Sequence, residues 1–137
     1  MRTFVVLAVS IVMVGIFFCP MAMSAPPMPD GLQIVQPDPS LPKELSAFFG
    51  KWEGSGTSQY FLIVEKIDEE KASLYLHRTG AGDAPTGWHR YEGNVTKERG
   101  KYKIWYIGQL GKYEFTVKGD YLNYSGPLVD VRLKRVQ

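Results

Sequence analysis

Lys112-Tyr113-Glu114-Phe115-Thr116-Val117-Lys118 is the stretch that decides the fold. Tyr113, Phe115 and Val117 alternate with Lys112, Glu114, Thr116 and Lys118. Successive side chains leave a strand on opposite faces, so a period of two marks a half-buried β-strand. Working outward, the same period recurs. Tyr102, Ile104 and Tyr106 alternate with Lys103 and Trp105, and Val129, Val131 and Leu133 alternate with Asp130, Arg132 and Lys134. Upstream, Ala72, Leu74 and Leu76 alternate with Ser73, Tyr75 and His77, and 60–67 is a denser apolar run containing β-branched residues. Turn signals separate these runs at Asp68-Glu69-Glu70, 80–87, Arg99-Gly100, 108–111, Gly119-Asp120 and Gly126-Pro127.

Eight strands are predicted near 51–55, 59–67, 71–79, 88–97, 101–107, 111–118, 120–125 and 128–136. Short strands with no helix between them form an antiparallel meander, as a sandwich or a barrel. Eight strands suffice to close a barrel that is filled by side chains or holds one small ligand, and closure removes exposed sheet edges. The expected fold is all-β: an eight-stranded antiparallel up-and-down barrel. Its closed end is expected at Ser40–Gly50, a short helical turn. Ser40 is placed to cap the turn, Pro42 fits its first turn, and Leu41, Leu45, Phe48 and Phe49 fall on one side.

A chain of 137 residues makes one domain. Its formal charge of +2 argues against a nucleic-acid binder that relies on a broad basic field. With 45% hydrophobic and 22% charged residues it is globular, not disordered. Arg2 is the only charge before Asp30; an apolar run from Phe4 to Phe18 follows, then Pro20 and the small cluster Ala22-Met23-Ser24-Ala25. This order predicts a signal peptide over residues 1–24, cut after Ser24, and an exported, periplasmic or secreted protein. The alternative is an N-terminal anchor over residues 3–23, near the ~20 apolar residues a bilayer needs although Pro20 interrupts it; membrane contact is expected only in that case. Bulky Phe17 and Phe18 argue against lipid attachment at Cys19. Cys19 is the only cysteine, so cleavage leaves no thiol chemistry and no disulfide. Residues 25–42 carry Pro26, Pro27, Pro29, Pro37, Pro39 and Pro42 and read as an extended linker, ahead of the barrel domain at 43–137.

Gly50-Lys51-Trp52 opens the first strand, and Arg135 lies in phase with Val129, Val131 and Leu133 near the end of the last. First and last strands are neighbours in a closed meander, so the guanidinium is expected to stack on the indole. Gly50, Trp52 and Arg135 in these places resemble the signature of the calycin superfamily, the lipocalins and their relatives, in which a basic residue of the last strand packs over the Trp of a Gly-x-Trp. Phe48-Phe49-Gly50-Lys51-Trp52-Glu53-Gly54, Ile63-Val64-Glu65-Lys66-Ile67, Gly87-Trp88-His89-Arg90 and Leu133-Lys134-Arg135-Val136 are similar to motifs of short exported lipocalin-like domains of bacteria. The resemblance implies a calycin-like barrel that binds a small ligand. This chain departs from typical lipocalins in its short strands and lack of a disulfide, which makes a filled interior the alternative.

Meander geometry assigns the loops to ends. The connections 54–58, 80–87, 108–110 and 126–127 lie opposite the helical turn, and they are glycine-rich and mostly uncharged. Loops held by a rigid scaffold are where binding residues concentrate. Ser55, Thr57, Asp83, Thr86 and Gln109 are the candidate polar contacts at this mouth, and Tyr75 and Trp88 the candidate ligand walls. The chain has no Gly-x-Ser-x-Gly elbow, Walker loop or His-Glu-x-x-His. Gly80-Ala81-Gly82 precedes a strand, so no helix N-terminus follows to bind phosphate. His77 and His89 are the only histidines, the candidate pair for acid–base chemistry or a metal, with Glu53 or Glu65 nearby. The expected function is binding of a small, largely apolar ligand without catalysis and without cofactor or metal. A filled-core accessory or protein-interaction module of the envelope is the alternative, and an enzyme using His77 or His89 comes last.

Overall fold

The computed structural model describes residues 25–79 and 87–137. Strands form where the period of two places them: β1 (Gly50–Ser55), β2 (Gln59–Ile67), β3 (Lys71–Thr79), β4 (Gly87–Glu98), β5 (Lys101–Gly108), β6 (Gly111–Lys118), β7 (Tyr121–Gly126) and β8 (Val129–Val136). Each boundary falls within one residue of its predicted place. All neighbours are antiparallel, and β1 pairs with both β2 and β8, so the sheet is a closed barrel in sequence order. This is the expected all-β, eight-stranded antiparallel up-and-down barrel, an architecture compatible with a calycin-like fold. Tight turns set the register. Between β4 and β5 both turn residues have positive φ, Arg99 at 50° and Gly100 at 79°, the backbone twist that a two-residue hairpin loop requires.

The seam forms as the first and last strands predict. Trp52 pairs with Arg135 across β1 and β8. The guanidinium carbon lies 4.2 Å from the indole centroid. The same group donates to the carbonyls of Phe49 at 2.7 Å and Ala47 at 2.6 Å, and the indole N–H donates to the Phe48 carbonyl at 3.0 Å. These carbonyls end the helical turn, where a cation is favoured. Gly50 is required here twice over. Its φ is 117°, and a Cβ would lie 3.0 Å from the Arg135 Nη1.

The helical turn is α1 (Lys43–Ser46), shorter than expected. Ser40 does not cap it; the N-cap position is Pro42, with no side-chain hydrogen bond. Ser40 instead gives both its amide and its hydroxyl to the Asp38 carboxylate, at 2.8 and 2.7 Å. An Asp two residues back closes its own turn and outcompetes the helix for that serine. The plug itself forms, with Leu45 and Phe48 buried against Trp52, Leu62, Val64, Leu74, Ile104, Leu122 and Leu133.

Aromatic rings cross the other half of the lumen. Tyr91 of β4 stacks on Tyr106 of β5 at 4.4 Å, and Tyr106 stacks on Tyr113 of β6 at 5.1 Å. Phe115 stacks on Tyr124 of β7 at 4.7 Å, and Tyr124 meets Tyr60 of β2 edge-on at 5.8 Å. The buried hydroxyls of Tyr106 and Tyr124 hydrogen-bond to each other at 3.0 Å, which lets two phenols sit in the core without orphaned oxygens. Gly126 makes room for this slab, since a Cβ there would run into the Tyr113 ring.

Replacing Arg135 with Ala removes the stacked cation and both carbonyl contacts while leaving Trp52 buried. We expect a loss of about 1.5–3 kcal/mol in urea unfolding, given ~0.5–1 kcal/mol for an exposed cation–π pair and a similar net value for each of the two hydrogen bonds. Arg135→Lys keeps the charge but not the planar fork, and should recover less than half of that loss.

Candidate functional site

The mouth and the outer face are the two places where functional side chains gather. At the mouth, Ser55 and Thr57 are exposed at the β1–β2 connection and Gln109 is exposed between β5 and β6. Asp83 and Thr86 lie outside the described residues, as does the Gly80-Ala81-Gly82 motif. Beneath the mouth lies the tyrosine slab. Two concavities stand out on the described surface, and neither lies inside the barrel. One, of about 420 Å³, is an open hollow beside Asp38 and Glu69 at the plugged end. The other, of about 350 Å³, lies on the outer face.

Tyr75 and Trp88 belong to that outer face and do not wall the lumen. Along β3, Ala72, Leu74 and Leu76 belong to the interior core, so Ser73, Tyr75 and His77 point outward by alternation. Phe61 pairs with His77 and His77 with Trp88. Their rings meet edge-on at 6.0 and 5.0 Å. Tyr75 and His77 are nonetheless buried, at 8% and 9% exposure: the Phe61 and Trp88 rings flank His77, and part of the stretch 25–42 passes over Tyr75. This stretch contains no helix or strand, as its prolines require, and it is attached. Trp88 donates its indole N–H to the Pro27 carbonyl at 2.7 Å, and Pro29 is buried. Gly31 passes over the Tyr75 hydroxyl, within 4.0 Å of where its Cβ would stand. Farther along, the Val35 amide donates to the Glu65 carbonyl at 2.8 Å. Residues 27–35 therefore form a strap from the mouth end toward the plugged end.

Glu65 anchors the strap through a β-bulge. The β2–β3 register skips from Val64 to Lys66, which leaves Glu65 unpaired in the ladder with its carbonyl free for Val35. Its carboxylate is 5% exposed and lies 3.1 Å from the Arg90 guanidinium. It also accepts the Gln33 amide at 3.0 Å. Ser73 links the same cluster to Glu92 at 2.9 Å. The hydrogen bond that Arg90 donates to Glu65 raises the Arg90 pKa, against a smaller opposing effect of desolvation. A buried carboxylate given a cation and a backbone N–H has its charge matched by donors. The outer-face cleft opens beside this cluster, between Gln33, Val35 and Glu92.

The sequence singled out Tyr75 and Trp88 and named Glu65 only as a companion of the histidines; it did not single out Ser73 or Arg90. The signal for Glu65 was present. Val64-Glu65-Lys66-Ile67 puts two polar residues between apolar ones, a break in the period of two that a bulge explains.

His77 and His89 do not assemble a joint site. Leu76 pairs with His89 and His77 with Trp88, so the two imidazoles project from opposite faces of the sheet. Glu53 is exposed on β1 and Glu65 is committed to Arg90. Among the described residues no group of three His, Cys, Asp or Glu side chains is placed to hold a metal. Among the described residues, Nδ1 of His77 and Nε2 of His89 are each buried without a hydrogen-bond partner. Burial pushes the His77 pKa below its usual value, and the nearby His89 adds to that shift.

No family model matches the chain, and no solved structure matches it. Among curated proteins, a 57-residue stretch is 39% identical to ubiquitin-fold modifier-conjugating enzyme 1 of Nematostella vectensis. The match covers 42% of this chain, which spans about a third of that relative's length. It transfers no activity.

The His77 shift has a sign that can be measured. A histidine whose folded pKa lies below its unfolded value, 6.5, takes up a proton more readily once unfolded. Stability is therefore full above that value and falls as pH drops through it. We expect the melting temperature to decline between pH 7.5 and 5.5, above the range where carboxylates titrate, and His77→Phe to flatten that decline.

Proposed function

We propose that this chain is a non-catalytic binding module that works through the outside of its barrel. The observation that carries the reading is the aromatic slab: rings from β2, β4, β5, β6 and β7 meet across the lumen, where a carrier would keep an open volume. The working surface is the outer face of β2–β4. There an aromatic row of Phe61, Tyr75, His77 and Trp88 lies beside the Glu65–Arg90 pair. Flat aromatic rings with an indole donor and a fixed charge suit an extended, proline-containing peptide, whose backbone is already ordered and whose carbonyls are free. The chain's own strap makes those contacts here. We propose further that the protein is an exported, lipocalin-like domain, on the strength of its N-terminal composition and its Gly50, Trp52 and Arg135 signature, and that its partners are proteins of that compartment.

A small, largely apolar ligand near the mouth is the second reading. It is favoured by the orphaned His89 Nε2, which the β3–β4 register places on the lumen side next to the tyrosines, where a ligand would give it a partner.

One set of measurements separates the two. Under the outer-face reading, lipids and hydrophobic dyes neither quench tryptophan fluorescence nor raise the melting temperature. A synthetic peptide spanning 26–36 perturbs the Tyr75, His77 and Trp88 resonances. It binds roughly tenfold more tightly to Gln33→Pro, whose strap has lost the backbone N–H that Glu65 accepts and competes less well. Saturable dye binding that Gly126→Ala abolishes, with no peptide response, sinks the outer-face reading and supports the mouth.

A further inference from the structure

The mouth end of the barrel carries large apolar side chains on its outside. Ile107 near the end of β5 is 67% exposed, Leu110 in the β5–β6 turn 61%, and Leu128 in the β7–β8 turn 81%. The two turns adjoin, because a Cβ on Gly111 would lie 3.1 Å from the Pro127 ring. Leu110, Pro127 and Leu128 thus make one projecting apolar edge with Ile107 beside it. The neighbouring cation is already engaged. Lys112 lies 3.0 Å from the Glu114 carboxylate and 4.8 Å from the Trp105 ring centroid. An edge of this kind is built for insertion into an apolar phase, not for charge attraction.

The path of the strap says what that phase is. Pro27 is held by Trp88 near the mouth, whereas Val35 is held by Glu65 farther toward the plug. Traced backward, the chain therefore leaves the barrel at the mouth end. The sequence that precedes it contains the apolar run Phe4 to Phe18, with one charge at Arg2. The projecting edge and the attachment point of the most apolar segment of the chain share one end of the barrel. We infer that residues 3–23 are retained as an anchor and that the mouth end rests on a lipid bilayer, with Leu110 and Leu128 inserted at the boundary between headgroups and acyl chains and Ile107 at the margin. The plug of Leu45 and Phe48 then faces away from the membrane, and the strap-covered outer face stands along the bilayer normal. Because the contact is apolar, it forms on zwitterionic and anionic bilayers alike.

The test uses the full chain with Cys19→Ser, reconstituted into phosphatidylcholine vesicles with and without phosphatidylglycerol. A single bimane label is placed at Leu110→Cys, at Leu128→Cys, or at Asp120→Cys in the β6–β7 turn of the plugged end. Brominated lipids then report depth. We expect labels at 110 and 128 to be quenched roughly threefold more than the label at 120, in both lipid mixtures. Leu128→Asp, with the label at 110, should bring quenching down to the level at 120 while circular dichroism and melting stay those of the folded barrel. Equal quenching at the two ends means that the N-terminal segment alone holds the chain, and overturns the inference. So does a folded Leu128→Asp chain with undiminished quenching. A concentration-dependent dimer that buries the labels without lipid quenching gives the edge to a second copy and also overturns it.

Discussion

The barrel depends on one contact, the stacking of the Arg135 guanidinium on the Trp52 indole across the β1–β8 seam. Every other strand pairing joins neighbours in sequence, which a hairpin brings together at low entropic cost. The seam alone joins the two ends of the sheet. Arg135 does so with three attachments: its strand pairs with β1, its cation sits on the indole, and its N–H groups hold the carbonyls that end the helical turn. A lysine supplies the charge but not the fork. Sealing the seam leaves no sheet edge open to another chain and fixes the plug over one end, so that the two ends of the barrel acquire different chemistry.

Closure defines an interior, and the residues inside decide what the barrel holds. The apolar sets of β4 to β7 are dominated by tyrosine, a large flat ring with a polar tip. Stacked across the lumen, these rings satisfy their packing, and the Tyr106–Tyr124 pair satisfies two of the hydroxyls. Burial raises the pKa of both phenols well above the ordinary tyrosine value. A lumen filled in this way turns attention to the outside, where a carboxylate, a guanidinium and four aromatic rings lie under a segment with no regular structure of its own.

Much of this was legible in the sequence because a strand writes its two faces as alternate letters. The eight strands, the plug residues and the Trp52–Arg135 contact all follow from that period and from the neighbour rule of a closed meander. The same alternation set Ser73, Tyr75 and His77 apart from Ala72, Leu74 and Leu76, so the outward position of Tyr75 was also written there. The relation between His77 and His89 was less accessible. Their faces depend on the β3–β4 register, which a loop of uncertain length leaves open. The strap was out of reach for a different reason. Proline determines that a segment is extended, not which surface it lies on, and the contacts at Trp88 and Glu65 use main-chain groups of the strap that every sequence possesses. Ser40 shows a competition that composition conceals: the side chain suited to cap a helix met an aspartate two residues away that held it more tightly.

The bulge at Glu65 shows how the strap and the barrel divide the chain between them. Val64 and Ile67 both face the core, with two residues between them where alternation allows one. If Glu65 were deleted, Val64, Lys66 and Ile67 would run in, out, in, and every later residue would keep its face. The barrel is thus complete one residue short of the actual chain, and the supernumerary residue serves only what lies outside it. A chain without Glu65 would keep the same barrel, with the strap held only toward its Trp88 end. A single-codon insertion or deletion at this position is therefore enough to add or remove the strap's anchor without disturbing the fold beneath.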